Sequence, residues 1–366
     1  MKILKSKIFI LIAILILLNL IFASLEGRGY IENSDKKILP IDISPVSHKE
    51  GNIIKGITVV APQKPIGSPA FKRLKDIHTE WVCFVPYGFT RKGQTNVTYN
   101  VERQWWGEKI TGIESCIQEA KKQGLKIMLK PQVYIGGGWI GDMDFDTEEK
   151  WKEWEKNYRD YIMDFVDVAA KHSVELFCVG TEYSIAIVKR EKFWRELIKE
   201  IRKSYKGQLT YSANWDSYEK TKIWDQLDFI GISSYFPLSD AKNPPVGLLV
   251  KEWKPVVRKL KAFSDKNKKK ILFTEYGYMS VDGCAGKAWE IEKAKHQLNI
   301  NHNAQSNAYD ALWMALSTES FWAGGFLWKW FPDNLGHEGY PEKDYTPQDK
   351  PAENIIKKWF SQIKKV

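Results

Sequence analysis

The sequence predicts an α/β protein built as a single-domain (β/α)8 TIM barrel, and three observations carry that expectation. Eight short apolar runs alternate with amphipathic helical patterns. The alternation occupies about 310 residues, the size of such a barrel with enlarged loops. Two of the runs end in a glutamate, Leu176-Phe-Cys-Val-Gly-Thr-Glu182 and Lys270-Ile-Leu-Phe-Thr-Glu275. Runs this short and this rich in β-branched or aromatic residues are buried strands rather than helices, and an ionisable side chain at the end of one is costly unless it is used. The alternative, a doubly wound open sheet, would place a glycine-rich phosphate turn after its first strand. The turn Ala61-Pro-Gln-Lys-Pro-Ile-Gly67 lacks that spacing.

In chain order, strands are expected at 56–62, 80–87, 126–133, 176–181, 208–215, 229–236, 270–276 and 324–331. Ser68 opens the first helical pattern, with Phe71, Leu74 and Ile77 on one face. Ile113, Ile117 and Ala120 mark the second, which Gly124 stops. The clearest helix begins near 146–147 with an acidic first turn and carries a stripe of Trp151, Trp154, Tyr158, Tyr161, Ile162, Phe165 and Ala169. Asp142, Asp144 and Asp146 resemble the start of a calcium loop but lack its later glycine and glutamate, so they are assigned to capping that helix. Further helices are expected at 191–204, 246–263, 306–317 and 352–363. Two connections, 134–145 and 279–303, are long enough to build a binding site on the catalytic face.

Before the barrel come two other segments. Lys2, Lys5 and Lys7 precede an uncharged run over residues 8–25, which reads as a secretory signal or, uncleaved, as a membrane anchor. Residues 26–52 are polar and form a linker, and 53–366 make up the catalytic domain. The chain is therefore expected to be exported, whether secreted, periplasmic or tethered outside the cytoplasm.

Of the 366 residues, 43% are hydrophobic and 16 are Trp, ample for a large core and, secondarily, for flat surfaces on which sugar rings stack. The formal charge of +10 is spread along lysine-rich helices as a solvated face. No interleaved basic and aromatic patch is present, so nucleic acid is not an expected partner. The four cysteines stand singly, as buried thiols rather than a disulfide framework. The six histidines show no paired metal-ligand spacing, His337-Glu338 is an isolated dipeptide, and no Gly-x-Ser-x-Gly elbow occurs. Neither a metal nor a cofactor is expected.

The chemistry rests on Glu182 and Glu275. Placed on strands four and seven of a barrel roughly 7.6 Å in radius, their backbones lie about 14 Å apart and their carboxyl groups about 6 Å apart. That separation suits a pair of acids acting on one glycosidic bond, without choosing between retention and inversion. The Tyr235 hydroxyl, at the end of strand six, is placed to donate to Glu275 and keep it ionised, whereas an apolar position facing a carboxylate favours the protonated form of Glu182. Glu182 is accordingly the acid and Glu275 the nucleophile. Lys130, Gln132, Thr181, Asn214 and Trp215 supply polar or aromatic groups at strand ends for substrate hydroxyls and rings; Trp139 and Trp328 are candidate platforms beneath a sugar. For Thr181 the alternative is to hold the carboxyl group; for the other six, a packing role is the alternative.

With these residues in view, the chain resembles the family 113 β-mannanases, within the large clan of retaining barrel glycosidases that carry glutamates on strands four and seven. The matching segments include Ile127-Met-Leu-Lys-Pro-Gln132, Gly138-Trp139, Phe177-Cys-Val-Gly-Thr-Glu182, Leu209-Thr-Tyr-Ser-Ala-Asn-Trp215, Phe273-Thr-Glu275-Tyr-Gly-Tyr278 and Gly325 to Trp328. The resemblance implies double displacement on β-1,4-mannan, Glu182 acting as acid/base and Glu275 as nucleophile; the protein is expected to be a monomer without cofactor. It also implies Tyr235 beside the nucleophile and Trp328 under the reacting sugar. Thr181 stands where many clan members have Asn, and Gln132 where close relatives have His. Other retaining β-glycanases, of endoglucanase or galactanase type, and a carbohydrate-binding barrel without catalysis are the alternatives.

Overall fold

The computed structural model describes residues 53–332 and 341–362. The signal or anchor over 1–25, the linker over 26–52 and His337-Glu338 lie outside the described residues. Eight parallel strands close into a barrel: β1 (Ile54–Val59), β2 (Trp81–Phe84), β4 (Lys126–Leu129), β6 (Leu176–Thr181), β7 (Gln208–Asn214), β8 (Ile230–Ser233), β9 (Ile271–Tyr276) and β10 (Trp322–Trp330). The two remaining strands, β3 (Tyr87–Arg91) and β5 (Gln132–Gly136), pair in parallel as a separate two-stranded sheet. Among the described residues no helix is long and apolar enough to cross a membrane.

The β3–β5 sheet departs from expectation, because the sequence runs 80–87 and 126–133 each read as one strand. Pro86 and Pro131 interrupt them. A proline has no N–H to give to a ladder, so the barrel pairing stops there and the chains pair again beyond it. The junction is tied by Lys130 N donating to Phe84 O at 2.9 Å and Gln132 N to Pro86 O at 3.1 Å.

The helices form where their apolar stripes can cover the barrel. They are α1 (Pro69–Asp76), α2 (Ile110–Lys122), α3 (Glu148–Lys171), α4 (Ala186–Lys189), α5 (Glu191–Ser204), α6 (Val246–Asn267), α7 (Ala288–Ala294), α8 (His302–Leu316) and α9 (Pro351–Gln362). In α3, Thr147 caps the first turn by accepting from Lys150 N, and the expected aromatic stripe is buried. Gly124, at φ +70°, ends the turn after α2 as the sequence suggests. The α7 helix lies inside the connection that reads as aperiodic, since seven residues with no buried member leave no periodic signal.

Two packed regions result. One joins the outer strand faces to the helices; the other fills the barrel interior with Ile54, Cys83, Met128, Leu176, Leu272 and Phe326. All four cysteines are free and buried. The interior filling stops below the C-terminal ends of the strands, where polar side chains replace it.

Candidate active site

Both glutamates reach the mouth through local irregularities in their strands. Along β9, Phe273 pairs with Ile232, but the next pair is Glu275 with Ser233, so β9 carries one extra residue at Thr274. Strict alternation from Phe273, which packs against the helices, would send Glu275 outward as well. The extra residue re-aims it inward. Along β6 the pairs Cys178 with Thr210 and Thr181 with Ser212 again leave one residue over. Glu182 follows with φ +59°, a left-handed conformation that costs about 1–2 kcal/mol in a residue with a Cβ. Its N–H donates to Ser212 O at 2.7 Å, and its own carbonyl accepts from Ser184 N at 2.7 Å.

The two carboxyl groups meet opposite surroundings. Glu275 is buried and accepts from Lys130 Nζ in a close ion pair and from the Tyr235 hydroxyl at 3.0 Å. Burial is the largest influence on Lys130 and opposes its charge, but Glu275 together with the nearby Cys83 and Cys178 outweighs it and holds the lysine pKa above its ordinary value. Burial, followed by the adjacent Glu275 charge, holds the Tyr235 hydroxyl well above the usual phenol range, so it keeps its proton and donates. Among the described residues, Glu182 meets no cation at contact distance. Burial, and secondarily the Glu275 charge, raise its pKa, while donation from Trp139 Nε1 at 3.0 Å and from Ser233 works in the other direction. One carboxylate is thus paired with a buried cation and a phenol, while the other is biased toward its acid form.

Both open into a cleft of about 680 Å³, within the range of small-ligand sites. Gln132, Trp139, Asn214, Trp215, Tyr235 and Trp328 also line it. Trp328, joined to Lys329 by a cis peptide, lies over the Lys130 ammonium with the nitrogen 5.5 Å from the ring centroid. The arrangement can protonate a leaving oxygen from Glu182 while the Glu275 anion attacks the adjoining carbon.

The model of Glycoside Hydrolase Family 113 matches residues 63–361. The chain belongs to glycoside hydrolase family 113. Among solved structures, the family 113 β-mannanase of Alicyclobacillus acidocaldarius in complex with ManMIm is 27% identical, with a TM-score of 0.75 over 86% of this chain and 99% of that one. A family 113 β-1,4-mannanase solved as a complex is 28% identical, with a TM-score of 0.70 over 85% of this chain and 99% of its own. A β-glucuronidase from Ruminococcus gnavus, 15% identical with a TM-score of 0.57 over 84% of this chain and 50% of that one, shares the fold. No curated protein matches.

In this family 113 glycoside hydrolase, two of the expected substrate contacts do not line the cleft. Lys130 is 0% exposed and spends its charge on Glu275 beneath the cleft rather than on a substrate hydroxyl; the Gln132 side chain accepts from it at 3.3 Å. Thr181 is buried level with Ser212 and does not line the cleft, because the left-handed turn at Glu182 follows it directly.

The cleft also contains residues that sequence reasoning missed: Asp216, Ala288, Trp289, Glu292, Lys293, Lys329 and Tyr345. Trp289, on α7, is 42% exposed and stacks on Trp215 with ring centroids 5.7 Å apart and planes 12° apart. Its one sequence signal is an aromatic residue within a long loop after a catalytic strand. Tyr345 packs edge-on to Tyr235 at 6.1 Å and is held from behind by Gln305 Nε2, which donates to its carbonyl at 3.1 Å. Asn214 donates to Asp216 Oδ1 at 2.9 Å and so presents its amide to the cleft in a fixed direction.

Trp139 reaches Glu182 because Gly141 leaves room: a Cβ there would fall 2.2 Å from the indole ring. Its Nε1–H favours the ionised form of Glu182. In Trp139→Phe the Glu182 pKa therefore rises further, and the alkaline limb of kcat/KM, where the protonated acid is lost, moves to higher pH. A limb at the same pH as in the unmodified enzyme would remove Trp139 from this role.

Proposed function

We propose that this family 113 enzyme hydrolyses β-1,4-mannan with retention of anomeric configuration. The observation that carries the reading is the unequal pair in one cleft: Glu275 held by Lys130 and Tyr235, and Glu182 with its pKa raised by burial and by Glu275. In the first step Glu182 gives its proton to the departing glycosidic oxygen while Glu275 forms a bond to the anomeric carbon. Water then attacks that carbon, Glu182 takes the proton, and the glycosyl bond to Glu275 breaks. The mannan assignment is supported by the neighbours at 27% and 28% identity, which are described as β-mannanases.

The chain is read as a monomer that acts outside the cytoplasm, the location on the strength of the basic and then apolar segment over residues 2–25. The deciding experiment is hydrolysis of a panel of β-1,4-mannan, β-1,4-glucan and β-1,4-galactan with product sizing, combined with proton NMR of the first anomer released. Mannan cleavage with the β-anomer appearing first is expected. Initial release of the α-anomer would overturn retention, and cleavage of another polymer in its place would overturn the substrate.

A further inference from the structure

We infer that the β3–β5 sheet is a glycan-binding platform that extends the catalytic cleft outward, so that the enzyme grips a polymeric chain well beyond the bond it cuts; this rests on the reading of the protein as a β-glycanase. The two strands pair in register, Tyr87 with Gln132, Phe89 with Tyr134 and Arg91 with Gly136. Since side chains alternate along a strand, Tyr87, Phe89, Gln132 and Tyr134 share one face. That face is open, with Tyr134 58% exposed. On the opposite face Thr90, Val133 and Ile135 are buried.

Tyr87 and Phe89 on this face are half-buried and Tyr134 is exposed; an aromatic row left partly open is not explained by folding alone, because burying it further would stabilise the protein. The rings form a continuous row instead. Tyr87 and Phe89 have centroids 6.2 Å apart, and Phe89 and Tyr134 are also 6.2 Å apart. The row begins inside the active site: Gln132 lines the cleft, and Tyr87 packs on the same interior cluster as Trp328. Same-face residues along a strand advance about 6.6 Å, comparable with the length of one pyranose unit. Aromatic faces for the C–H side of a sugar, with the Gln132 amide and Arg91 for its hydroxyl edge, suit a carbohydrate better than an apolar protein partner.

The platform is also rigid. The Tyr161 hydroxyl, from α3, donates its one proton to Pro86 O at 2.7 Å with Gln132 O also within reach at 3.2 Å, at the roots of the two strands. Phe89 exchanges a pair of backbone hydrogen bonds with Thr98, at 2.8 and 2.9 Å, which covers the outer edge of β3. A ligand settling there orders little of the protein.

The test compares the unmodified enzyme with Tyr134→Ala and Tyr134→Phe. The ratio of kcat/KM on β-mannan to that on an aryl β-mannobioside should fall about three- to tenfold in Tyr134→Ala and hold in Tyr134→Phe, which keeps the ring. Affinity electrophoresis of the same proteins, in gels containing mannan, β-1,4-glucan or β-1,4-galactan, reads the platform whether or not mannan is cleaved. Retardation by at least one polymer, weakened in Tyr134→Ala, supports it. Failure to cleave mannan with retardation intact would overturn the mannanase reading alone. Equal retardation of the unmodified and Tyr134→Ala proteins, or none in any gel, would overturn the platform. So would a dimer in sedimentation that Tyr134→Ala converts to monomer, since the face would then belong to a second copy.

Discussion

Glu275→Ala is expected to lower hydrolysis by about 10⁴-fold or more, and Glu182→Ala by about 10²- to 10⁴-fold, on natural polysaccharide. The two variants should then part company when azide and a substrate with a good leaving group are supplied. A good leaving group departs without a proton, and azide attacks without a base, so azide restores turnover in Glu182→Ala. The product there keeps the β configuration, because Glu275 still forms the intermediate. In Glu275→Ala azide can only enter the space the carboxylate vacated and displace the leaving group directly, giving the opposite anomer. The measurement is the rate and the anomeric configuration of the glycosyl azide. Full activity in either variant, or a β-azide from Glu275→Ala, would sink the assignment of roles.

The second large effect is expected at Lys130. Its ammonium is fully buried and paired with the carboxylate of Glu275. Lys130→Met would leave a buried anion without its cation, the kind of change that costs about 3–5 kcal/mol of stability. Since Lys130 does not line the cleft, KM should change little while kcat falls by about 10²-fold or more, the scale of losing electrostatic support at a reacting group. The double variant Lys130→Met with Glu275→Gln removes both charges. It should recover most of the lost stability, though not the activity, in thermal or denaturant unfolding. If the single and double variants unfold alike, the loss at Lys130 is one of packing rather than of charge.

These two predictions stand in different relation to the sequence. The glutamates are visible there because each ends an apolar run, and a carboxyl group at the end of a buried strand is hard to explain without a task. Lys130 is visible as a polar residue at a strand end, yet its partner 145 positions later is not. Pairing across the barrel depends on strand stagger, which no local pattern records. Trp289 escaped for another reason: its helix is only seven residues long and none of them is fully buried, too short a stretch for a period of 3.6 to stand out. The β3–β5 sheet was hidden because the runs that feed it are continuous with barrel strands in hydrophobicity, and only the prolines at 86 and 131 mark the change of partner.

By itself the sequence determined the alternation of strand and helix, the eight apolar runs that make a barrel, and the two acids that end the fourth and seventh of them. Those features follow from composition and period, which act over a few residues. The tertiary structure alone decided that an extra residue before each glutamate turns it toward the mouth, that Lys130 pairs with Glu275 rather than lining the cleft, and that Trp289 and Tyr345 line it. The physical reason is that a side chain's direction and its partner are set by register and closure across strands far apart in the chain, and a shift of one residue reverses both.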